Sequence, residues 1–230
     1  MIKLNKLEES LNYHFKDIRL LKKALTHSSY VNEHELSKTD CYERLEFLGD
    51  AILEMYSSEY LYRLFPDDRE GALSKKRATL VCEEGLGVAA RELNLSDYLI
   101  LGVGADREGT REMDSVLSDT FEALIAALFL DGGPEVARRL IYDHVLNNID
   151  EKLIYNDAKS VLQEVMQKEG RKVTYSLIGE SGPDHDKTFI ITCLIDNNEM
   201  ETGNGKSKKA AEQDAAKKTL LKIKGQDACI

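Results

Sequence analysis

Apolar residues recur at helical spacing through most of the first 150 positions of the chain and alternate in strand-like fashion only beyond about residue 173. The pattern predicts helices over 3–12, 17–26, 40–64, 71–80, 82–93, 111–130 and 134–150. Pro66, Gly132, Gly133 and Pro134 punctuate them. A polar boundary follows at 151–156, and the rhythm changes. Residues 158–169 are amphipathic, with Val161, Leu162, Val165 and Met166 on one side. Stretches 173–179, 189–196 and 199–203 favour strands, with Asn197-Asn198 as the turn between the last two. A final helix is expected over 208–222, its apolar face made by Ala211, Ala215, Ala216, Leu220 and Leu221. The fold class is therefore α+β multidomain: an all-α domain over 1–150, then a small α-β-β-β-α domain over 157–225.

The polar positions carry the chemistry. In the helix expected over 40–64, Glu43, Glu46, Asp50 and Glu54 fall within a strip roughly 80° wide, while Leu45, Leu48, Ile52 and Met55 point the other way. Crowded carboxylates repel unless a cation sits among them. The strip is either an ordinary solvated acidic face or half of a divalent-metal site. A second stretch decides between these. Eight apolar residues in a row, Ala123 to Leu130, follow Glu122, and Val116, Leu117 and Phe121 interleave the acids before it. Such a helix is buried, so Asp119 and Glu122 need a positive partner, and no Lys or Arg lies between Arg111 and Arg138. If the two helices pack together, four carboxylates converge. Oxygen ligands of this kind suit Mg²⁺ or Mn²⁺, not zinc.

Charge changes the picture in one respect. The formal net charge is -10. It is unevenly placed: residues 1–150 hold 18 Lys and Arg against 28 Asp and Glu, and the remainder 13 against 13. Within 203–224, seven lysines face only Glu212 and Asp214, a footprint suited to phosphates. Lys208 and Lys209 sit in the first turn of the last helix behind Ser207 as N-cap, where they oppose the macrodipole, and that penalty makes sense if the combined field faces an anion. A lysine-rich start that is merely solvated is the plainer reading. The N-terminus has no long apolar core, and no run approaches the roughly 18 residues of a membrane helix, so cytoplasm is the default. Four scattered cysteines form no CxxC pair and read as reduced thiols.

Three ordered stretches carry a resemblance. LNYHFKDIRLLKKALTHSS (11–29), YERLEFLGDAIL (42–53) and LSDTFEALIAALFLDGG (117–133) resemble the motifs of bacterial ribonuclease III, and the likeness extends over nearly the whole chain. Tyr42 departs from it, standing where many members have Asn. The resemblance implies a homodimeric endoribonuclease acting on double-stranded RNA with Mg²⁺, for which Mn²⁺ can substitute. It implies products with a 5′ phosphate, a 3′ hydroxyl and a two-nucleotide 3′ overhang, and work on ribosomal-RNA precursors and other transcripts. The expected metal ligands are Glu46, Asp50, Asp119 and Glu122, with Asp50 and Glu122 catalytic. Glu43 and Glu70 match further acidic positions near the RNA cleft or behind the ligands, and Phe47 is expected to be an aromatic knob entering the partner subunit, with plain core packing as the alternative.

The second domain resembles a double-stranded-RNA-binding domain. By that likeness Gln163 and Glu164, Pro183 and His185, and the Lys206, Ser207, Lys208, Lys209 run are the RNA contacts, reading groove shape and 2′-hydroxyls. Lys75, Lys76 and Arg77 fit either a phosphate contact or a covered helix surface. Gly205-Lys206-Ser207 ends like a phosphate-binding loop, but Met200 stands where its first glycine would be. A protein that only binds double-stranded RNA would not need the full carboxylate set, and a small-molecule phosphohydrolase would not need the basic helix.

Overall fold

The computed structural model describes residues 4–183 and 187–227, and the chain divides into two compact units, Met1–Ile149 and Asp150–Ile230. The first is built of helices: α1 (Leu4–Ser10), α2 (Ile18–Ala24), α3 (Ser28–Glu33), α4 (Glu43–Leu64), α5 (Glu70–Leu80), α6 (Glu83–Glu92), α7 (Val103–Arg107), α8 (Asp114–Gly132) and α9 (Pro134–His144). The apolar run makes α8 the hub. Phe121 and every residue from Ala123 to Leu128 are buried, and burying each large side chain contributes about 1.5–3 kcal/mol. Leu130, at its end, is exposed instead, so the run is not apolar-covered throughout. α4 packs against α8 most extensively, and α6, α9 and α2 also lie on it.

The ends of α8 are fixed locally. Gly133, with φ of 87°, stops the helix, and Pro134 begins α9 in its first turn, where a missing N–H costs nothing. Asp131 accepts hydrogen bonds from the Tyr13 hydroxyl (2.7 Å) and the amides of Lys16 and Asp17 (both 2.8 Å), pinning the segment between α1 and α2 to it.

Several expected elements differ. α3 and α7 do not show in the apolar pattern, because helices of 6 and 5 residues are too short to display a period. The expected helix over 134–150 ends at His144, and α10 (Ile149–Lys168) begins after Asn148, which adopts a left-handed φ of 48°. Met55 is exposed, not part of the apolar side of α4.

In the second unit α10 is broken at Asp157, whose φ and ψ of -142° and 55° are not helical. Asp157 Oδ1 accepts from the Ser160 amide (3.4 Å) and from the Gln213 side chain (3.1 Å), while Gln213 Oε1 accepts from the Lys159 amide (3.0 Å). β1 (Val173–Ser181), β2 (Thr188–Ile195) and β3 (Asn198–Gly205) form an antiparallel sheet in that order, and α11 (Lys208–Asp227) packs on β2 and β3. Ile195 pairs with Asn198, so the turn is Asp196-Asn197, one residue earlier than expected. Both take positive φ (52° and 66°), as a two-residue hairpin of this hand requires. The core joins Ala158, Leu162, Met166, Cys193, Ile195, Ala215, Ala216 and Leu220, whereas Val165 and Leu221 are exposed. Gly203 of β3 has a reason: a methyl there would run into the backbone of Ala211 and Ala215, so close does α11 lie to the strand. No helix among the described residues is long and apolar enough to cross a membrane.

Candidate functional site

α4 and α8 approach closely at Gly49, where an added methyl would drive into the carbonyl of Glu122. Glycine inside a helix costs about 1 kcal/mol relative to alanine, and here the close crossing explains it. Asp50 is the neighbour of that contact and Glu46 lies one turn before Asp50; on α8, Asp119 lies three residues before Glu122. Asp50 is exposed and the other three are half-buried.

These carboxylates act on one another. Burial, then Asp50, Asp119, Glu46 and Glu54, push the Glu122 carboxyl up to about 8. Burial, then Asp119, Glu43 and Asp50, raise Glu46. Asp119 is also raised, by burial and by Glu83, against the lowering hydrogen bond from the Tyr42 hydroxyl (3.4 Å). Every charge acting on Glu122 is thus another carboxylate. The donor set suits a hard cation, because it offers only oxygen and a positive ion would relieve both the burial and the repulsion. As the side chains stand, no three His, Cys, Asp or Glu among the described residues are gathered closely enough to grip an ion. The four therefore meet at electrostatic range, not at ligating range.

The remaining acids separate. Glu43 is exposed in the first turn of α4, its charge reaching Glu46, Tyr42 and His27. Glu70 heads α5, exposed, and accepts from the Ser74 hydroxyl at 2.9 Å. Glu54, on the same strip of α4, lies 3.8 Å from Arg77, which also donates to Ser58 at 2.8 Å. Lys76 pairs with Asp68 at 2.9 Å over the Phe65 ring. So Lys76 and Arg77 are engaged within their own unit. Phe47 is 81% exposed and takes no part in the core of this chain. Gly49 and Glu83 escaped the sequence reading; an unexplained glycine in the middle of an acidic helix was the signal for the first.

In the second unit Gln163, Pro183, Lys206, Ser207, Lys208 and Lys209 are exposed and Glu164 is half-buried; His185 lies outside the described residues. Ser207 caps α11 as expected, its Oγ accepting from the Ala210 amide at 3.2 Å. Lys208 Nζ sits 5.9 Å from the centre of the Phe189 ring. The lysine stripe is not uniform: Lys218 pairs with Asp214 (2.7 Å) and Lys222 with Glu201 (2.6 Å), which partly neutralises its later turns and concentrates positive charge at the helix start.

An acidic cluster between two packed helices, followed by an α-β-β-β-α unit with a basic helix start, defines the class of metal-dependent nucleases that carry their own RNA-binding module. Comparison with known proteins narrows this. Residues 17–149 match the Ribonuclease-III-like family and residues 158–223 the double-stranded RNA binding motif. Ribonuclease 3 of Caldanaerobacter subterraneus subsp. tengcongensis is 49% identical over 224 residues, 96% of this chain and 98% of that protein. Ribonuclease 3 of Enterococcus faecalis is 44% identical over 220 residues, covering 94% and 96%. The nuclease domain of ribonuclease III from Campylobacter jejuni, in a structure concerned with flexibility in a region involved in dimer formation, superposes with a TM-score of 0.57 at 44% identity, covering 62% of this chain and 98% of that one. The chain belongs to the ribonuclease III family, and that membership implies dependence on a divalent metal.

Proposed function

We propose that this chain is a Mg²⁺-dependent endoribonuclease that hydrolyses phosphodiesters of double-stranded RNA, with Glu46, Asp50, Asp119 and Glu122 as metal ligands and Asp50 and Glu122 the catalytic pair. One observation carries the reading: the Gly49 crossing brings exposed Asp50 and half-buried Glu46, Asp119 and Glu122 of α4 and α8 near enough for their charges to act on one another. Bound there, Mg²⁺ supplies a lowered pKa for the attacking water and positive charge opposite the phosphate, and Mn²⁺ can substitute. The chain itself contributes the spacing. Gly49 fixes the two helices, so that gathering the oxygens is left to side-chain rotation.

Glu43 and Glu70 serve the RNA cleft or support the ligands from behind. Lys206, Ser207, Lys208 and Lys209 hold phosphates, and Gln163, Glu164, Pro183 and His185 reach the minor grooves on either side, where 2′-hydroxyls mark RNA. The active form is a homodimer with Phe47 inserted into the partner. Each protomer cuts one strand, leaving 5′ phosphates, 3′ hydroxyls and two-nucleotide 3′ overhangs, in the maturation of ribosomal and other transcripts in the cytoplasm.

Long double-stranded RNA incubated with Mg²⁺ tests this. Wild type is expected to cut, and Glu122→Gln to bind the RNA while cutting it slower by roughly 100-fold or more, the scale for loss of a group that stabilises transition-state charge. Equal cleavage by the two proteins would overturn the catalytic assignment.

A further inference from the structure

Tyr42 is the residue at which the chain departs from the acid-rich motif around it, and its surroundings hold it still. Its ring is 4% exposed, packed among Ala24, Leu45, Ala123, Ala126 and Ala127. The ring of His27 meets it edge-on at 5.7 Å, and its amide donates to the Thr26 carbonyl at 2.9 Å. His27 is itself tied down, its Nδ1 accepting from the Ser29 amide at 3.1 Å as the N-cap of α3. From this fixed base the hydroxyl donates to Asp119 Oδ2 at 3.4 Å. No other hydrogen bond or ion pair to the Asp119 carboxylate occurs among the described residues, so the tyrosine is its one direct tether and Oδ1 stays open.

We propose that Tyr42 is a positioning residue, whose hydroxyl holds the Asp119 carboxylate in the acidic cluster and thereby sets how tightly that cluster takes a divalent cation. The inference rests on the metal-site reading above. A rotatable carboxylate must give up side-chain freedom when it becomes a ligand, and a donor on a locked ring removes part of that freedom beforehand. A tyrosine that only filled the core would serve equally well without its hydroxyl.

Calorimetric titration of the full chain with Mn²⁺, without RNA, separates these roles. Tyr42→Phe keeps the ring and its packing. It is expected to raise the Mn²⁺ dissociation constant roughly three- to tenfold, the range for one hydrogen bond to a charged group at the long end of its geometry. In an Asp119→Ala background, which removes the acceptor, the same change should add nothing, because two residues acting as one unit are not additive. Glu122→Gln serves as the reference for the site. Unaltered affinity in Tyr42→Phe, with affinity lost in Glu122→Gln, overturns the positioning role and leaves the site standing. Equal effects of Tyr42→Phe in both backgrounds show that it does not act through Asp119 and overturn the role as well. Unaltered affinity in Glu122→Gln overturns the site reading and this inference with it.

Discussion

At the scale of single residues, the raised carboxyls have a measurable consequence. Glu122 titrates at about 8 in the folded chain against an ordinary 4.5. Between those values the folded state holds more protons than the unfolded one, so the chain without divalent ion loses stability as pH rises through that window. Glu46 and Asp119 are shifted in the same direction and add to the trend. At the proposed site, protons and Mg²⁺ would compete for the same oxygens. The rise in melting temperature on adding Mg²⁺ should therefore be small near pH 5 and grow toward pH 8; an equal rise at both ends would show that the ion binds elsewhere. The acids themselves were legible from their spacing on two helices. Their meeting point was not, because Gly49 says where two backbones touch only once it is known which helix lies opposite.

At the scale of elements, the long helices and the seven-residue α1 and α2 declared themselves, while α3 and α7 did not. α4 and α8 present several turns of period, whereas α3 depends on the local cap from His27. The hairpin was displaced by one residue for a related reason: Asp196, Asn197 and Asn198 are all competent turn formers, and the pairing of Ile195 with Asn198 decides among them. The lysines of α11 were expected to matter most at the helix start, and Glu201 and Asp214 claim two of the later ones, Lys222 and Lys218. In the proposed RNA-binding role, this leaves Lys208 and Lys209 as the lysines to test. Replacing both with Ala should weaken binding to double-stranded RNA and lower the slope of log affinity against log salt by about 1–2, fewer counterions being released. A slope equal to that of the wild type would make the helix start merely solvated.

At the scale of the whole molecule, the order of a helical unit and an α-β-β-β-α unit followed from a change of period alone. The assembly did not, since a lone Phe47 at helical spacing reads as well for core as for surface. Its exposure makes it a large apolar group that a single protomer leaves in water, as partner-binding anchors are. Phe47→Ala is expected to sediment as a monomer, or to dissociate at higher concentration than wild type; a dimer of unchanged strength would remove Phe47 from the interface. The clasp between Asp157 and Gln213 bears on where the second unit can be cut free. The double-stranded RNA binding motif begins at residue 158, yet a fragment starting there leaves the Ser160 amide and the Gln213 side chain without the carboxylate that holds them. Losing one helix cap costs about 1 kcal/mol, or roughly 4–8 °C of melting temperature in a unit this small. A second-unit fragment beginning at Asp157 is therefore expected to melt higher than one beginning at Ala158; equal melting temperatures would show that the clasp adds nothing.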